Sequence, residues 1–111
     1  MAEQGTNKPG PIQPVRLGDI AAYQDHSVVS REIISKPAGT VTVFAFDEGE
    51  GLSEHTAPFD AMVSVIEGMA TVLIDAKPYT VNAGEMIIMP ANRPHALKAE
   101  TRFKMLLVLV K

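Results

Sequence analysis

Two of the three histidines have a side chain and sequence surroundings that could form a catalytic or binding site. His55 and His95 each lie beside a glycine- or proline-marked turn that adjoins a short apolar run. A neutral imidazole can bind Zn, Cu, Ni or Fe, and it can also offer one donor and one acceptor to an organic ligand. The third histidine, His26, lies beside Asp25 ahead of the first predicted strand and is predicted to have no part in a site. The chain has no cysteine, so thiolate metal sites and disulfides are excluded.

The elements that must position these histidines are short and regularly spaced. Runs rich in Val, Ile, Thr and Phe alternate with Gly, Pro and Asp signals, which is typical of an all-β sandwich or barrel. No long window has a helical period, so we expect only one short turn, at Leu17–Tyr23. The predicted strands are Val28–Ser35, Thr40–Phe46, Ala61–Ile66, Ala70–Ile74, Tyr79–Val81, Glu85–Met89, His95–Lys98 and Arg102–Val110.

Length and composition limit the organisation and the partners. With 111 residues the chain has room for one domain, predicted at residues 15–111, preceded by a polar, Gly- and Pro-rich flexible arm at residues 1–14. A net charge of −3 with no basic stripe argues against nucleic acid as a partner. The longest apolar stretch, Met105–Val110, is too short to cross a bilayer, so no membrane partner is expected. The absence of cysteine is consistent with the reducing cytosol, and we expect a cytoplasmic location.

The stretches around the two histidines resemble the two motifs of the cupin family. The first stretch runs from Gly49 to Gly68 and the second from Gly84 to Ala99. The positions that fall in register with no insertion are Gly49, His55, Gly68, Gly84, Pro90 and His95. The resemblance covers roughly Thr40 to Val110, and it implies the fold of that family, a cupin or jelly-roll-like β-barrel of two antiparallel sheets.

The departures from the motifs fall on the metal ligands. The resemblance implies three histidines and one glutamate in metal-binding cupins, but Ala57 stands at the second histidine position and Ala61 at the glutamate position. Only His55 and His95 remain as ligands, and two imidazoles alone make a weak site because catalytic metal sites generally keep about three protein ligands. Asp60 could act as a further ligand only if its strand bulges there.

At the second motif, Asn92 replaces a glycine. Asn tolerates the left-handed backbone conformation that glycine usually supplies in a turn, so the turn is expected to survive the replacement. Glu85 and Arg93, also beside this motif, are predicted to be surface charges with no catalytic role. The second motif is therefore expected to keep its shape and to place His95 as the family does.

These residues support three functional hypotheses. The first is a small-molecule-binding barrel, metal-free or weakly metallated, with a pocket formed by His55, Ala57, Ala61 and His95. The alternative is a metal-dependent enzyme of dioxygenase or isomerase type, with a non-standard two-histidine site that holds a divalent transition metal such as Zn, Ni, Fe or Mn. The third is a structural or interaction protein, since cupin folds serve many functions.

Two runs are apolar at consecutive positions and not at alternating ones. A barrel strand with one solvated face should alternate, so Met105–Val110 and Met86–Met89 are predicted to be buried on both faces. Either a second sheet of the same subunit or a partner subunit could cover them. We predict a homodimer built on the outer face of Met105–Val110, with a contribution from Val28–Ser35.

Overall fold

Nine β-strands and one 3₁₀ turn form the regular structure of residues 12–111, the part of the chain that the computed structural model describes. The turn spans Leu17–Asp19. The strands are β1 (Val28–Lys36), β2 (Gly39–Phe46), β3 (Gly51–His55), β4 (Asp60–Glu67), β5 (Met69–Ile74), β6 (Lys77–Asn82), β7 (Met86–Met89), β8 (His95–Lys98) and β9 (Phe103–Val110). The all-β prediction is confirmed. Most of the predicted arm at residues 1–14 lies outside the described residues.

The strands form two antiparallel sheets that pack face to face. The five-stranded sheet has the order β1-β2-β9-β4-β7 and the four-stranded sheet the order β3-β8-β5-β6. Alternate side chains of each strand enter the core between them, where the rings of Phe46 and Phe103 stack with centroids 4.5 Å apart. The jelly-roll-like barrel of two antiparallel sheets is therefore the fold of this chain.

One end of the outer face of the five-stranded sheet is covered by the chain itself. Ala21, flanked by Ile20 and Tyr23, packs on a cluster from four strands of this sheet: Val29, Val43, Ala45, Ile66 and Leu106. At this end the covering layer is neither of the two that the sequence suggests, a second sheet or a partner subunit. The residues ahead of β1 supply that layer, so burial of Leu106 requires no partner subunit.

A carboxylate holds this covering segment against the barrel. Asp47 accepts hydrogen bonds from the Arg102 Nε, at 2.8 Å, and from the backbone N–H of His26, at 2.7 Å. Arg102 also pairs with Asp25 at 3.0 Å. The hydrogen bond from Arg102, followed by that from His26, lowers the pKa of Asp47 to about 2. His26 thus contributes its backbone to the fold, and its ring lies outside the site described below.

Gly68, between β4 and β5, has a backbone conformation and a close neighbour that both require glycine. Its φ is +77°, and a Cβ there would lie 2.3 Å from the carbonyl oxygen of Arg102. Gly84 has a similar φ of +88° but nothing within 4 Å of the same position. Comparing Gly68 with Gly84 therefore separates the cost of the left-handed backbone conformation from the cost of the close contact.

We expect Gly84→Ala to lower the free energy of unfolding by about 1 kcal/mol, the cost of a left-handed conformation. Gly68→Ala should lower it by about 2 kcal/mol, because a backbone carbonyl must move in addition. Urea denaturation of both variants measures the difference. Equal losses in the two variants would show that the close approach of Arg102 does not matter.

Candidate ligand-binding cavity

Pairing between β3 and β8 brings the two motif histidines together. His55 ends β3 and His95 begins β8, and the two residues are directly paired across the strands. The ring centroids lie 4.4 Å apart with an interplanar angle of 72°, and the two Nε2 atoms are 3.1 Å apart. The sequence does not predict β3, because the glycines and charged residues at 47–51 indicate a turn and the segment that follows them is short.

Backbone carbonyls fix the orientation of both rings. The Nδ1 of His55 lies 2.8 Å from the carbonyl oxygen of Ser53, and the Nδ1 of His95 lies 3.1 Å from that of Arg93. A carbonyl oxygen can only accept, so each Nδ1 must carry the proton and donate it. In neutral rings both Nε2 atoms then present lone pairs to each other.

The two histidines differ in exposure. His95 is 5% exposed, whereas His55 lies at the surface end of the pair. Burial lowers the pKa of His95 from its ordinary value, and the neighbouring His55 lowers it further, while the carbonyl of Arg93 opposes both effects. The lowered pKa favours the neutral form of His95 at the inner side of the site, where its Nε2, 3.1 Å from that of His55, can accept a hydrogen bond or bind a metal ion.

The pair forms the polar corner of an otherwise apolar cavity of about 240 Å³. Its walls come from both sheets and from the β3–β4 loop. They comprise Leu52, Phe59, Met89, Leu97, Met105, Leu107 and Leu109, together with the two histidines and with Ala57 and Ala61. All four residues that the sequence analysis placed in a pocket therefore line one cavity. The larger apolar residues were missed; on β9 the run Met105–Val110 is apolar at every position, so its composition does not indicate which side chains face inward.

Ala57 lies outside any strand, and the second motif fixes its position. Its carbonyl oxygen accepts a 2.7 Å hydrogen bond from the backbone N–H of Asn92. Asn92 has φ of +65°, so the prediction that it would take the place of glycine in a left-handed conformation is confirmed. The turn of the second motif thus holds the loop that carries Ala57 over the cavity.

Asp60 does not complete a metal site. The pairing of β4 with β9 is regular at this position, with Asp60 opposite Val110 and Ala61 opposite Leu109. No bulge rotates the carboxylate inward, and its Oδ1 accepts a 2.9 Å hydrogen bond from the backbone N–H of Ala91. The hypothesis that Asp60 takes the place of a missing ligand is therefore wrong; its carboxylate fixes the turn of the second motif.

The other charged residues beside the second motif have structural partners. Arg93 pairs with Asp75, and the two side chains are partly exposed. Glu85 accepts a 2.8 Å hydrogen bond from the backbone N–H of Asn82. Neither side chain lines the cavity. The cavity thus has no acid or base from these residues.

The histidine pair fits two positions of a metal coordination sphere. Metal–nitrogen bonds of about 2.0–2.1 Å at angles of about 90–110° separate two ligand atoms by roughly 2.9–3.4 Å, and the Nε2 atoms are 3.1 Å apart. Among residues 12–111, however, no group of three or more His, Cys, Asp or Glu side chains could hold an ion. The protein residues described here supply two ligands, and water or a bound anion would have to supply the others.

Comparison with known proteins identifies the family. The profile of the cupin domain matches residues 42–110, which include both motifs and seven of the nine strands in full. The fold, the paired motif histidines and this match together show that the chain belongs to the cupin family.

Two solved structures illustrate how similar the relatives are. A conserved protein of unknown function from Streptococcus pyogenes is 36% identical with a TM-score of 0.89, and the alignment covers 95% of this chain and 92% of that one. A cupin 2 conserved barrel domain protein from Leptotrichia buccalis is 43% identical with a TM-score of 0.83. That alignment covers 85% of this chain and 46% of the longer relative.

More distant structures share the fold alone. The salicylate 1,2-dioxygenase from Pseudoaminobacter salicylatoxidans is 17% identical with a TM-score of 0.69, and the alignment covers 75% of this chain and 25% of the dioxygenase. A search of curated proteins finds no significant match. In the described part of the chain, no helix has the length and apolarity needed to cross a membrane.

Proposed function

We propose that the barrel binds one small, mostly apolar molecule whose single polar group forms a hydrogen bond with His55 and His95. The observation that carries the proposal is the composition of the cavity wall, which is apolar everywhere except at the two convergent Nε2 atoms. Apolar pockets with a few convergent polar groups are the usual form of small-molecule sites. The apolar walls would supply most of the binding free energy, and the two histidines would fix the orientation of the ligand.

The volume of the cavity limits the size of the ligand. An apolar cavity of about 150 Å³ accommodates benzene, and typical pockets for larger ligands begin at about 300 Å³. At about 240 Å³ this cavity falls between them. A single substituted ring, or a short branched chain, is the class of molecule that fits.

The hydrogen-bonding state of the histidines limits the polar group. Both Nδ1 protons are donated to backbone carbonyls, so the pair has lone pairs to offer to a ligand. A ligand hydroxyl or carboxylic acid can donate to an Nε2 atom, whereas an ether or a ketone has no proton to give. The best match is therefore a small apolar molecule with an acidic or hydroxyl O–H.

Phenol and toluene test this proposal as a matched pair of probes. We expect the natural protein to bind phenol roughly 5- to 10-fold more tightly than toluene, the value of about one net hydrogen bond. His55→Leu, which removes one of the two acceptors and leaves the Nε2 of His95, should reduce the preference for phenol. Titration of each probe, followed by NMR, measures the affinities for phenol and for toluene. If neither probe binds at millimolar concentration, or if phenol has no advantage, the proposal fails.

The convergent lone pairs favour a second candidate, a metal-dependent enzyme of dioxygenase or isomerase type. Both Nε2 atoms lie at the spacing of adjacent metal ligands and both are unprotonated in neutral rings. A bound divalent metal would supply Lewis-acid or redox chemistry, and the chain would contribute His55, His95 and the apolar walls that orient a substrate. Metal analysis of protein purified without an affinity tag distinguishes this candidate from the first.

A further inference from the structure

The cavity beside the histidines is open at one end and closed at the other. On β9, Leu109, Leu107 and Met105 all line it, because alternate residues of a strand share a face. Leu109 and Leu107 are only partly buried, whereas Met105 is 0% exposed. The cavity therefore opens at the level of Leu109 and ends at Met105.

The histidine pair lies at the open end. His55 ends β3, and the loop of residues 56–59 leads from it to the start of β4, where Ala61 is paired with Leu109. His55 is exposed, whereas Leu97, two residues inward from His95 on β8, is fully buried. The polar corner of the cavity and its mouth therefore coincide, and the walls further inward are apolar and more deeply buried.

Met105 forms the floor of the cavity and is supported from behind. The next residue of β9 on the same face is Phe103, which is directly paired with Phe46 on β2 and stacks on its ring. Neither ring lines the cavity, and both are fully buried. From Leu109 to Met105 the strand advances about 13 Å, at about 3.4 Å per residue. A ligand can thus extend inward along β9 as far as Met105 and no further.

We infer that Met105 sets the length of the ligand, which lies with its O–H at the histidine pair and its apolar end against the Met105 side chain. The inference rests on the proposed binding function and adds a direction and a length limit to it. The Nε2 acceptors lie at the open end, and the walls inward of them can bury an apolar group. The class that fits is a slender molecule with one polar end, such as a phenol with a short unbranched substituent opposite its hydroxyl group.

The reverse orientation fits less well. A hydroxyl group placed at Met105 would be buried among apolar side chains, away from both histidines, and would lose its hydrogen bonds to water without replacement. Met89, the other methionine of the cavity, cannot act as the floor, because it is paired with Ala61 at the open end. The two methionines thus mark the two ends of the cavity.

A series of para-alkylphenols, from phenol to para-hexylphenol, tests the length limit. We expect the affinity of the natural protein to rise roughly 3- to 4-fold for each added methylene group. It should pass through a maximum within the series and then fall, because a longer chain meets the packed floor. Met105→Ala should move the maximum to a chain longer by about two carbons, since most of the side chain is removed. Titration followed by NMR measures each affinity.

Two further variants make the result specific to the floor. Met105→Val removes less of the side chain, folds more readily than Met105→Ala, and should move the maximum by about one carbon. Val81→Ala is the matched control, because Val81 is buried on β6, which contributes no residue to the cavity, and it should leave the maximum unchanged.

The methionine methyl groups report the direction of the ligand without any substitution. In natural protein that is isotope-labelled at these methyl groups, lengthening the chain from para-methylphenol to para-propylphenol should shift the Met105 resonance more than that of Met89. A larger change at Met89, a maximum that does not move in the Met105 variants, or an equal move in Val81→Ala would overturn the inference. Phenol binding would still support the proposed function in each of these cases, whereas absence of phenol binding would overturn both.

Discussion

Replacing Ala57 by His and Ala61 by Glu should convert the cavity into a tight metal site. Both alanines line the same cavity as His55 and His95, so the new side chains would reach the point where the Nε2 lone pairs converge. Loss of a residue that merely supports a metal ligand costs about 10- to 100-fold in affinity. Restoring two direct ligands should therefore raise the affinity for Zn²⁺ at least about 100-fold.

Competition with a chromophoric chelator measures this affinity in the natural protein and in the double variant. The control is the double variant with His95→Ala, which should lose part of the gain because one of its four ligands is removed. If the natural protein already binds one Zn²⁺ tightly and the double variant gains nothing, the two-histidine description of the site is wrong. The metal-dependent enzyme would then become the better of the two proposed functions.

Much of the fold and of the histidine pair could be predicted from the sequence, because local signals and the motif register agree. Turn residues separate most strands, and the glycines of the first motif and Gly84 have the positive φ that the motif requires. The element that was missed, β3, is short and interrupted in its pairing with β8 between Leu52 and His55. Its five residues have one partly buried member and four exposed ones, so no alternation indicates a strand.

Pro78 shows how position in a sheet overrides a local signal. The sequence predicts no strand between Ile74 and Tyr79, but only Asp75 and Ala76 form a turn there, both with positive φ. β6 then begins at Lys77 and contains Pro78. Proline is compatible with this strand because β6 is the edge of its sheet, where a missing N–H need not break the ladder.

The detailed chemistry of the site depends on contacts that residue spacing does not encode. The motif positions of His55, Ala57 and Ala61 predicted one shared pocket, and all three residues line one cavity although Ala57 lies in a loop. Nothing in the sequence indicates that the carbonyls of Ser53 and Arg93 fix both Nδ1 protons. The covering of one end of the outer face by Ile20–Tyr23 was missed for the same reason, since it depends on tertiary packing.

Filling the cavity should remove ligand binding without harming the fold. Ala61 is buried on β4 and its methyl group faces the cavity, so Ala61→Leu places a larger apolar side chain in space that the protein leaves open. We expect phenol and toluene binding to disappear. The free energy of unfolding should rise by about 1–2 kcal/mol, at about 0.8 kcal/mol for each buried methylene group.

Ala70→Leu is the matched control, because Ala70 is fully buried on β5 but does not line the cavity. There the same enlargement meets close-packed neighbours, and it should lower the free energy of unfolding by about 1–3 kcal/mol. If the cavity is open, urea denaturation should show that Ala61→Leu stabilises the protein and Ala70→Leu destabilises it. Titration with the probes should show that Ala61→Leu loses binding and Ala70→Leu keeps it. If Ala61→Leu destabilises the protein as much as Ala70→Leu does, the space beside the histidines is not available to a ligand, and the proposed binding function loses its physical basis.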